Sequence, residues 1–354
     1  MLLLDNDDVA KVLTIEDCLE ALEDAFRDYG LKQAVNRPRS HSYAPQAEQQ
    51  WYLLKTMDAV FPRYDIAGIR LTSELLTQPV VDGKQRRVML PGPNGRWTEL
   101  ILLFRMSTSE PIAIVPGGHL QRMRVGATAA ICAKYLARKD SRVAGLLGTG
   151  GIGGPQLEAL AKTCSLKEIR VYSPTGENLR SFVAYWSGRL NVEIRGTRTA
   201  REAVEGADIV GCATNSLEPV LNGDWLSPGT HVNSVTRYEL DNETIRRADV
   251  IIVRSHDRDS HWVIGDEMPE EVKRDQSGDD SILGRAQTLG EIVAGRAAGR
   301  TSDDQITLFS GSGLGSAGLG LQLIAVAARA YDKAKAQGLG RDFPAEWFTQ
   351  SIHT

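Results

Sequence analysis

Two periods of apolar residues divide the chain. Behind Thr14, the residues Ile15, Leu19, Leu22 and Phe26 recur at the steps of an amphipathic helix, so one face is apolar. Asp17, three residues after Thr14, supplies an acidic variant of the capping box, and Gly30 is placed to end the helix. The period then shortens. "WYLLKTMDAVF", "IAGIRLTSE", "TELILLFR" and "PIAIVP" are short, β-rich runs, the last two joined by "MSTSE" as a hairpin. The stretch "TQPVVDGKQRRVMLPGPNGRW" interrupts them and reads as an excursion of the kind that borders a site.

From Arg122 the rhythm alternates between helix and strand. Helix "RVGATAAICAKYLARK" leads to strand "RVAGLL", a glycine turn and helix "GGPQLEALAKTC". Strands "EIRVYS", "VEIR", "DIVGCAT", "THVNSV", "DVIIVR" and "QITLFS" follow, the first three with helices between them. Such alternation implies right-handed crossovers and a Rossmann-type doubly wound parallel sheet. The fold class expected is α/β, with the parallel sheet over residues 122–314. An α+β domain takes 1–121, joined by 315–354, whose helix "GLQLIAVAARAYDKAKAQG" packs back on it.

Length and charge narrow the function. At 354 residues the chain suits two cores, and a net charge of −4 with no basic stripe excludes nucleic acid as a partner. The leucines of "MLLLDNDDVAK" are cut short by acids, and no run of ~18 uncharged apolar residues follows, so a soluble cytoplasmic protein without a membrane partner is expected. The four cysteines lie far apart and read as reduced thiols. His256 and His261 share no helix, and no metal is assigned.

Gly148, Gly150 and Gly153 form G-x-G-x-x-G between a strand and a helix, the context in which the motif cradles a dinucleotide pyrophosphate; Gly151 and Ile152 belong to the same turn. The end of the next strand, where an NAD site offers an acid to the ribose, carries Ser173, Pro174 and Thr175, with Arg180 beyond. A 2′-phosphate meets no repulsion there, so NADP(H) is favoured and NAD(H) remains possible.

"LQRMRVGATAAICAKYLAR", "ATNSLEPVLNGDWLSPGTHVNSV", "LGEIVAGRAAGR" and "ITLFSGSGLG" resemble the ornithine cyclodeaminase and mu-crystallin family, which includes archaeal-type alanine dehydrogenases and ketimine reductases. The resemblance implies a homodimer built through the N-terminal domain, and hydride exchange between nicotinamide and the α-carbon of an amino or imino acid. It places Arg124 as the clamp for a substrate carboxylate, with Arg39 or Arg37 as the arginine of the first domain. Nicotinamide falls beside Thr214, Asn233 and Ser234.

Three departures from the family pattern matter. Arg70 stands where the family has a lysine; it cannot lose a proton and is read as a substrate anchor, leaving Lys55 as the candidate acid, or else a lysine facing water. The aspartate that handles a distal amine is absent, with Thr236, Arg237 and Tyr238 in its place, so a positive distal end would repel a diamine and accept a second carboxylate or a polar or aromatic group. Gln322 stands where relatives often have aspartate. His41 and His119 are alternative proton relays. The expected activity is an NAD(P)H-dependent oxidoreductase on the C–N bond of an imino or amino acid, of the imine or ketimine reductase or amino-acid dehydrogenase type, with a 2-oxo acid as the other substrate form. A cyclodeaminase-like lyase using NAD catalytically, and a non-enzymatic NADP(H) or small-ligand binder, are the alternatives.

Overall fold

The computed structural model describes residues 1–81, 84–276, 280–311 and 318–352. Two sheets organise them. In the first, strands Ser40–Ala47, Gln50–Phe61, Ile66–Thr77, Thr98–Arg105 and Pro111–Pro116 run as an antiparallel meander. The chain ends close one edge, where Leu2–Leu3 pairs with Pro111–Pro116 and with Arg341–Asp342. The second sheet is parallel throughout, in the order 193–196, 168–172, 143–147, 209–212, 231–234, 307–310, 250–253, 287–288. This is the expected doubly wound arrangement.

Local signals act as expected at the first amphipathic helix. Thr14 caps Ile15–Gly30, its hydroxyl accepting from the Asp17 N–H while the Asp17 carboxylate accepts from the Thr14 N–H at 2.9 Å. Gly30 has a second role, because a Cβ there would lie 2.0 Å from the carbonyl oxygen of Gly290. The bare backbone lets this helix touch Leu289–Val293. Helix Gly118–Leu136 links the two halves: it packs on the Ile15–Gly30 and Gly153–Thr163 helices and against strand His231–Ser234. The C-terminal helix, Gly320–Ala336, returns to the first sheet and packs on its Gln50–Phe61, Ile66–Thr77 and Thr98–Arg105 strands.

Two strands were not legible. Ser40–Ala47 lacks an aliphatic alternation, because its buried positions are His41 and Tyr43. Ser260–Val263, in the range expected to belong wholly to the parallel-sheet half, instead pairs with Ser40–Ala47 in the first sheet, His261 opposite His41. The excursion after Thr77 forms a two-residue ladder of Val80–Val81 with Lys84–Gln85, then Val88–Leu90 on the edge of Ile66–Thr77. "SGLGSA", residues 312–317, including the expected boundary at 314/315, lies outside the described residues.

Gly30→Ala is expected to lower stability by about 1–3 kcal/mol, because the added methyl meets backbone rather than a side chain that can turn away. Gly188→Ala, with nothing within 4 Å of its Cβ and an ordinary φ of −84°, is expected to change it by less than about 1 kcal/mol. Urea unfolding of both variants measures the difference, and equal midpoints would show that the two helices are not in close contact.

Candidate functional site

In a doubly wound sheet, ligands bind beyond the carboxyl ends of the strands, at the point where the strand order reverses. Here that point lies between Val143–Leu147 and Ile209–Cys212. A groove of about 940 Å³ opens there, lined by Gly148, Gly150, Gly151 and Ile152 on one side and Thr214–Ser216 on the other. Gly148 turns the chain with φ +113°, a conformation that L side chains rarely adopt. A Cβ on Gly150 would meet no protein atom within 4 Å, so the backbone at that point faces open groove. Gly153 begins the helix Gly153–Thr163, whose N-terminal N–H groups favour an anion.

The groove continues past the end of Glu168–Tyr172, where Ser173 and Thr175 line it; the acid among its lining residues is Asp241, which accepts from the N–H groups of Gly223 and Thr244 and from the Thr244 hydroxyl. Arg180 lies exposed in the following helix and does not line the groove. Arg122, which sequence reasoning passed over, has its Nε 3.0 Å from where a Gly151 Cβ would be, so a cation stands beside the glycine turn.

A cavity of about 330 Å³ adjoins this groove, sharing Ile152, Thr214, Asn215 and Ser216 with it. Thr214 is held through its N–H and hydroxyl by Glu239, at 2.6 and 2.8 Å, and the same carboxylate accepts from the Ser234 hydroxyl and the Thr236 N–H, both at 3.0 Å. Burial raises the Glu239 pKa in spite of these bonds. Glu239, in the "ELD" that follows the expected site residues, thus organises the end of the groove; no local pattern singled it out. Asn233 donates to the carbonyl of Ala129, and its Oδ1, buried in the cavity wall, has no hydrogen-bond partner among the described residues. An unpaired buried acceptor beside open glycines fits a dinucleotide with a carboxamide at one end.

Arg124 projects from helix Gly118–Leu136 into the cavity and is 5% exposed. Its partners are neutral. Gln121 Oε1 accepts from Nε and Nη2 at 3.1 and 2.9 Å, and Gln322 Oε1 accepts from Nη1 at 3.0 Å. Gln322 is itself held by donating to Thr128 Oγ1 at 2.7 Å. Of the five guanidinium N–H groups, one on each terminal nitrogen is left for a ligand, the pair that grips a carboxylate. Burial, then Arg254 and Arg70, push the Arg124 pKa well below its usual value. Since arginine stays protonated, this shift expresses an unmet demand for an anion. That is the consequence of Gln322: an aspartate would neutralise Arg124, whereas an amide only holds it in place.

The first sheet supplies the facing wall. Lys55 lines the cavity with its Nζ 2.8 Å from Glu74 Oε1, so it is largely enclosed and ion-paired, not an edge lysine in water. Burial, aided by Arg87, Arg70 and Arg39, outweighs Glu74 and pulls the Lys55 pKa down to about 8. Burial raises the Glu74 carboxyl, but Lys55 and Arg87 prevail and hold it below the usual range. His41 also lines the cavity. Burial, then Arg39 and Lys55, keep its pKa well below the usual value, so the ring is neutral. His119 does not line the cavity.

Arg70 departs from its expected role as substrate anchor. It is buried and does not line the cavity, its Nε donating to Glu99 at 2.8 Å and its Nη1 to the Met57 sulfur. It acts on Lys55 and Arg124 through its charge alone. Arg37 is exposed and pairs with Asp58 at 3.7 Å. Arg39 lines the cavity and is bound by Asp259, which also accepts from the Gly318 N–H at 3.1 Å. Arg237 points away, donating to the carbonyl of Leu240 and to Asn242, so it does not charge the distal end of the cavity.

That charge comes from residues not foreseen. Arg254 stands at the carboxyl end of Val250–Val253, and Arg87, from the excursion, pairs with Glu74 and Glu271. Glu271 also accepts from the Tyr43 hydroxyl at 3.1 Å. Two signals pointed to such residues. Arg254 is a charge directly after a wholly apolar strand, and Lys55, Arg70, Glu74 and Glu99 fall in phase with the buried positions of alternating strands.

No helix among the described residues is long and apolar enough to cross a membrane. The chain is similar over its length to several known proteins. It is 29% identical over 344 residues to an alanine dehydrogenase of Archaeoglobus fulgidus, covering 96% of this chain and 97% of that one. It is 25% identical over 354 residues to a Δ1-pyrroline-2-carboxylate reductase of Bacillus cereus, covering 96% and 98%. The structure of the Thermococcus litoralis Δ1-pyrroline-2-carboxylate reductase in complex with NADH and L-proline superposes with a TM-score of 0.76 at 30% identity, covering 97% of this chain and all of that one. Residues 1–338 match the model of one family, and the chain belongs to it: the ornithine cyclodeaminase/mu-crystallin family.

Proposed function

We propose that this protein is an NAD(P)H-dependent oxidoreductase acting on the C–N bond of an imino or amino acid, working as a homodimer. The observation that carries the reading is Arg124: a buried guanidinium with two N–H groups unused and only amide partners, in a cavity that adjoins the dinucleotide groove. An α-carboxylate is the ligand that satisfies it. The alanine dehydrogenase and pyrroline-2-carboxylate reductase relatives support the same chemistry.

Gly148, Gly150, Gly151, Ile152 and Gly153 would hold the pyrophosphate with Arg122 beside them. Thr214, Asn233 and Ser234 would hold the nicotinamide end. When bound, the nicotinamide supplies or accepts the hydride. Arg124 fixes the α-carboxylate and with it the plane of the adjoining C=N group, while Gln121 and Gln322 prevent the guanidinium from turning. Lys55 donates the proton that the imine nitrogen requires in reduction and takes it back in oxidation. Its pKa of about 8 suits both directions. Glu74, held by Arg87, keeps the Lys55 Nζ in place without taking its proton. NADP(H) is favoured over NAD(H), because Ser173 and Thr175 line the groove at the strand end where an acid would repel a 2′-phosphate. A lyase acting on a diamino acid is disfavoured by Arg254 and Arg87, which would face its distal ammonium.

Purified protein with NADPH or NADH, a panel of 2-oxo acids plus ammonium, and cyclic imines, followed by absorbance, tests the reading; no net cofactor turnover on any member refutes it. Arg124→Leu is expected to lower kcat/KM by about a hundredfold or more, the cost of about 3 kcal/mol for removing a buried charge partner, with cofactor binding retained. In wild type the reductive kcat/KM should fall as pH rises through about 8, where the Lys55 ammonium is lost, and the oxidative one should rise through the same point. Lys55→Met is expected to lose about a hundredfold in rate and both limbs. An unchanged profile would transfer the proton to another group. Fluorescence titration is expected to show tighter binding of NADPH than of NADH, and the reverse order would remove Ser173 and Thr175 from that role.

A further inference from the structure

We propose that Arg254 binds a second carboxylate of the substrate, making a short 2-imino dicarboxylate, formed from a 2-oxo diacid and ammonia, the preferred substrate class. This rests on the imino-acid reading above and specifies it.

Arg254 is 7% exposed and lines the same cavity as Arg124 and Lys55. It does not line the dinucleotide groove, so the pyrophosphate is not its counter-ion. Five cationic side chains line this cavity, and three carboxylates answer them: Asp259 pairs with Arg39, Glu74 with Lys55 and Arg87, and Glu271 with Arg87. Arg124 and Arg254 are the two for which no carboxylate among the described residues lies within 4 Å. The Arg254 Nε is buried with no hydrogen-bond partner among the described residues.

A buried guanidinium without an acid is costly, and two in one cavity repel each other as well. Burial, then the charge of Arg39, pull the Arg254 pKa down to about 10, and Arg254 in turn ranks next after burial in lowering Arg124. Asp259, whose charge acts on Arg254, is committed to Arg39 and to the Gly318 N–H. A monocarboxylic imino acid would satisfy Arg124 and leave an alkyl group against Arg254. A cyclic imine would do the same. A dicarboxylate satisfies both arginines, and each planar guanidinium matches a carboxylate with parallel hydrogen bonds. The reaction balances as before: hydride to the α-carbon and one proton to nitrogen convert C=N to CH–NH, and the second carboxylate is unchanged.

The test uses the full chain, with oxaloacetate and 2-oxoglutarate plus ammonium against 2-oxobutyrate and 2-oxopentanoate plus ammonium, and against Δ1-pyrroline-2-carboxylate. At least one diacid is expected to exceed the monoacid of the same chain length in kcat/KM by about tenfold or more, equivalent to about 1.4 kcal/mol. Arg254→Gln is expected to collapse that ratio, and Arg254→Lys to restore part of it. Because a variant at a buried position can fail to fold, a second measurement needs wild type alone. Calorimetric titration with unreactive succinate and with butyrate, in the presence of NADPH, should show tighter binding of succinate by about tenfold or more. Turnover confined to monoacids or cyclic imines, a ratio unmoved in a folded Arg254→Gln protein, or equal binding of succinate and butyrate overturns the proposal and leaves the reductase reading standing. Failure to turn over any imine refutes both.

Discussion

Arg124 is held by amides alone, and much of the molecule is arranged around that fact. Its helix, Gly118–Leu136, is buried among both halves, and Arg124 is only 5% exposed where it reaches the cavity. Gln121 from the same helix and Gln322 from the returning C-terminal helix fix its plane without cancelling its charge. The core around this helix is large and continuous: one apolar cluster runs from Val9 and Phe26 through Leu120 and Ile131 to Leu157 and Ile324. The cost of keeping the cation unpaired is offset when an anionic ligand arrives.

The facing wall is made by chain segments that cross between the two halves. The stretch from Arg254 to Glu271 leaves the end of a parallel strand, adds Ser260–Val263 to the first sheet, and delivers Asp259 to Arg39 and Glu271 to Arg87 and Tyr43. In the opposite direction the excursion after Thr77 bridges Arg86 to Ser216 and brings Gln85 to Leu217, beside the groove. The cavity is therefore bordered by exchanged strands and ion pairs, and its positive field reflects cations gathered from five separate segments. The acids around it keep other side chains in position, since Glu74 holds Lys55, Asp259 holds Arg39, and Glu239 holds Thr214 and Ser234.

Much of this was legible along the chain. The Thr14 cap, the alternating helices and strands and the glycine turn are local: each depends on residues a few positions apart, so periodicity and capping chemistry report them directly. Arg124 and Lys55 were legible as candidates too, through residue type and motif. Arg70 was misjudged because an arginine in a buried strand position looks the same in sequence whether it faces a ligand or an internal acid, and Glu99 is 29 residues away. Arg237 was misjudged in the same way: only the 3-10 turn Arg237–Glu239 sends its side chain back to Leu240 and Asn242.

What the sequence by itself determined was the set of elements, the parallel sheet with its dinucleotide turn, and the identity of the charges available to a site. Only the tertiary structure decided which charges meet. Ser260–Val263 has too few apolar positions to announce a strand, and it is ordered by backbone pairing with Ser40–Ala47, about two hundred residues earlier in the chain. Glu271 reaches the cavity through the segment that makes this pairing, Arg254 from the end of a parallel strand and Arg87 from the excursion after Thr77. Gln322 acquired its meaning there as well, since an amide in a buried helix is informative only once Arg124 is known to lie 3.0 Å from it with no acid in between. Local periodicity records which face of an element is buried; which partner waits there is a property of the closed chain.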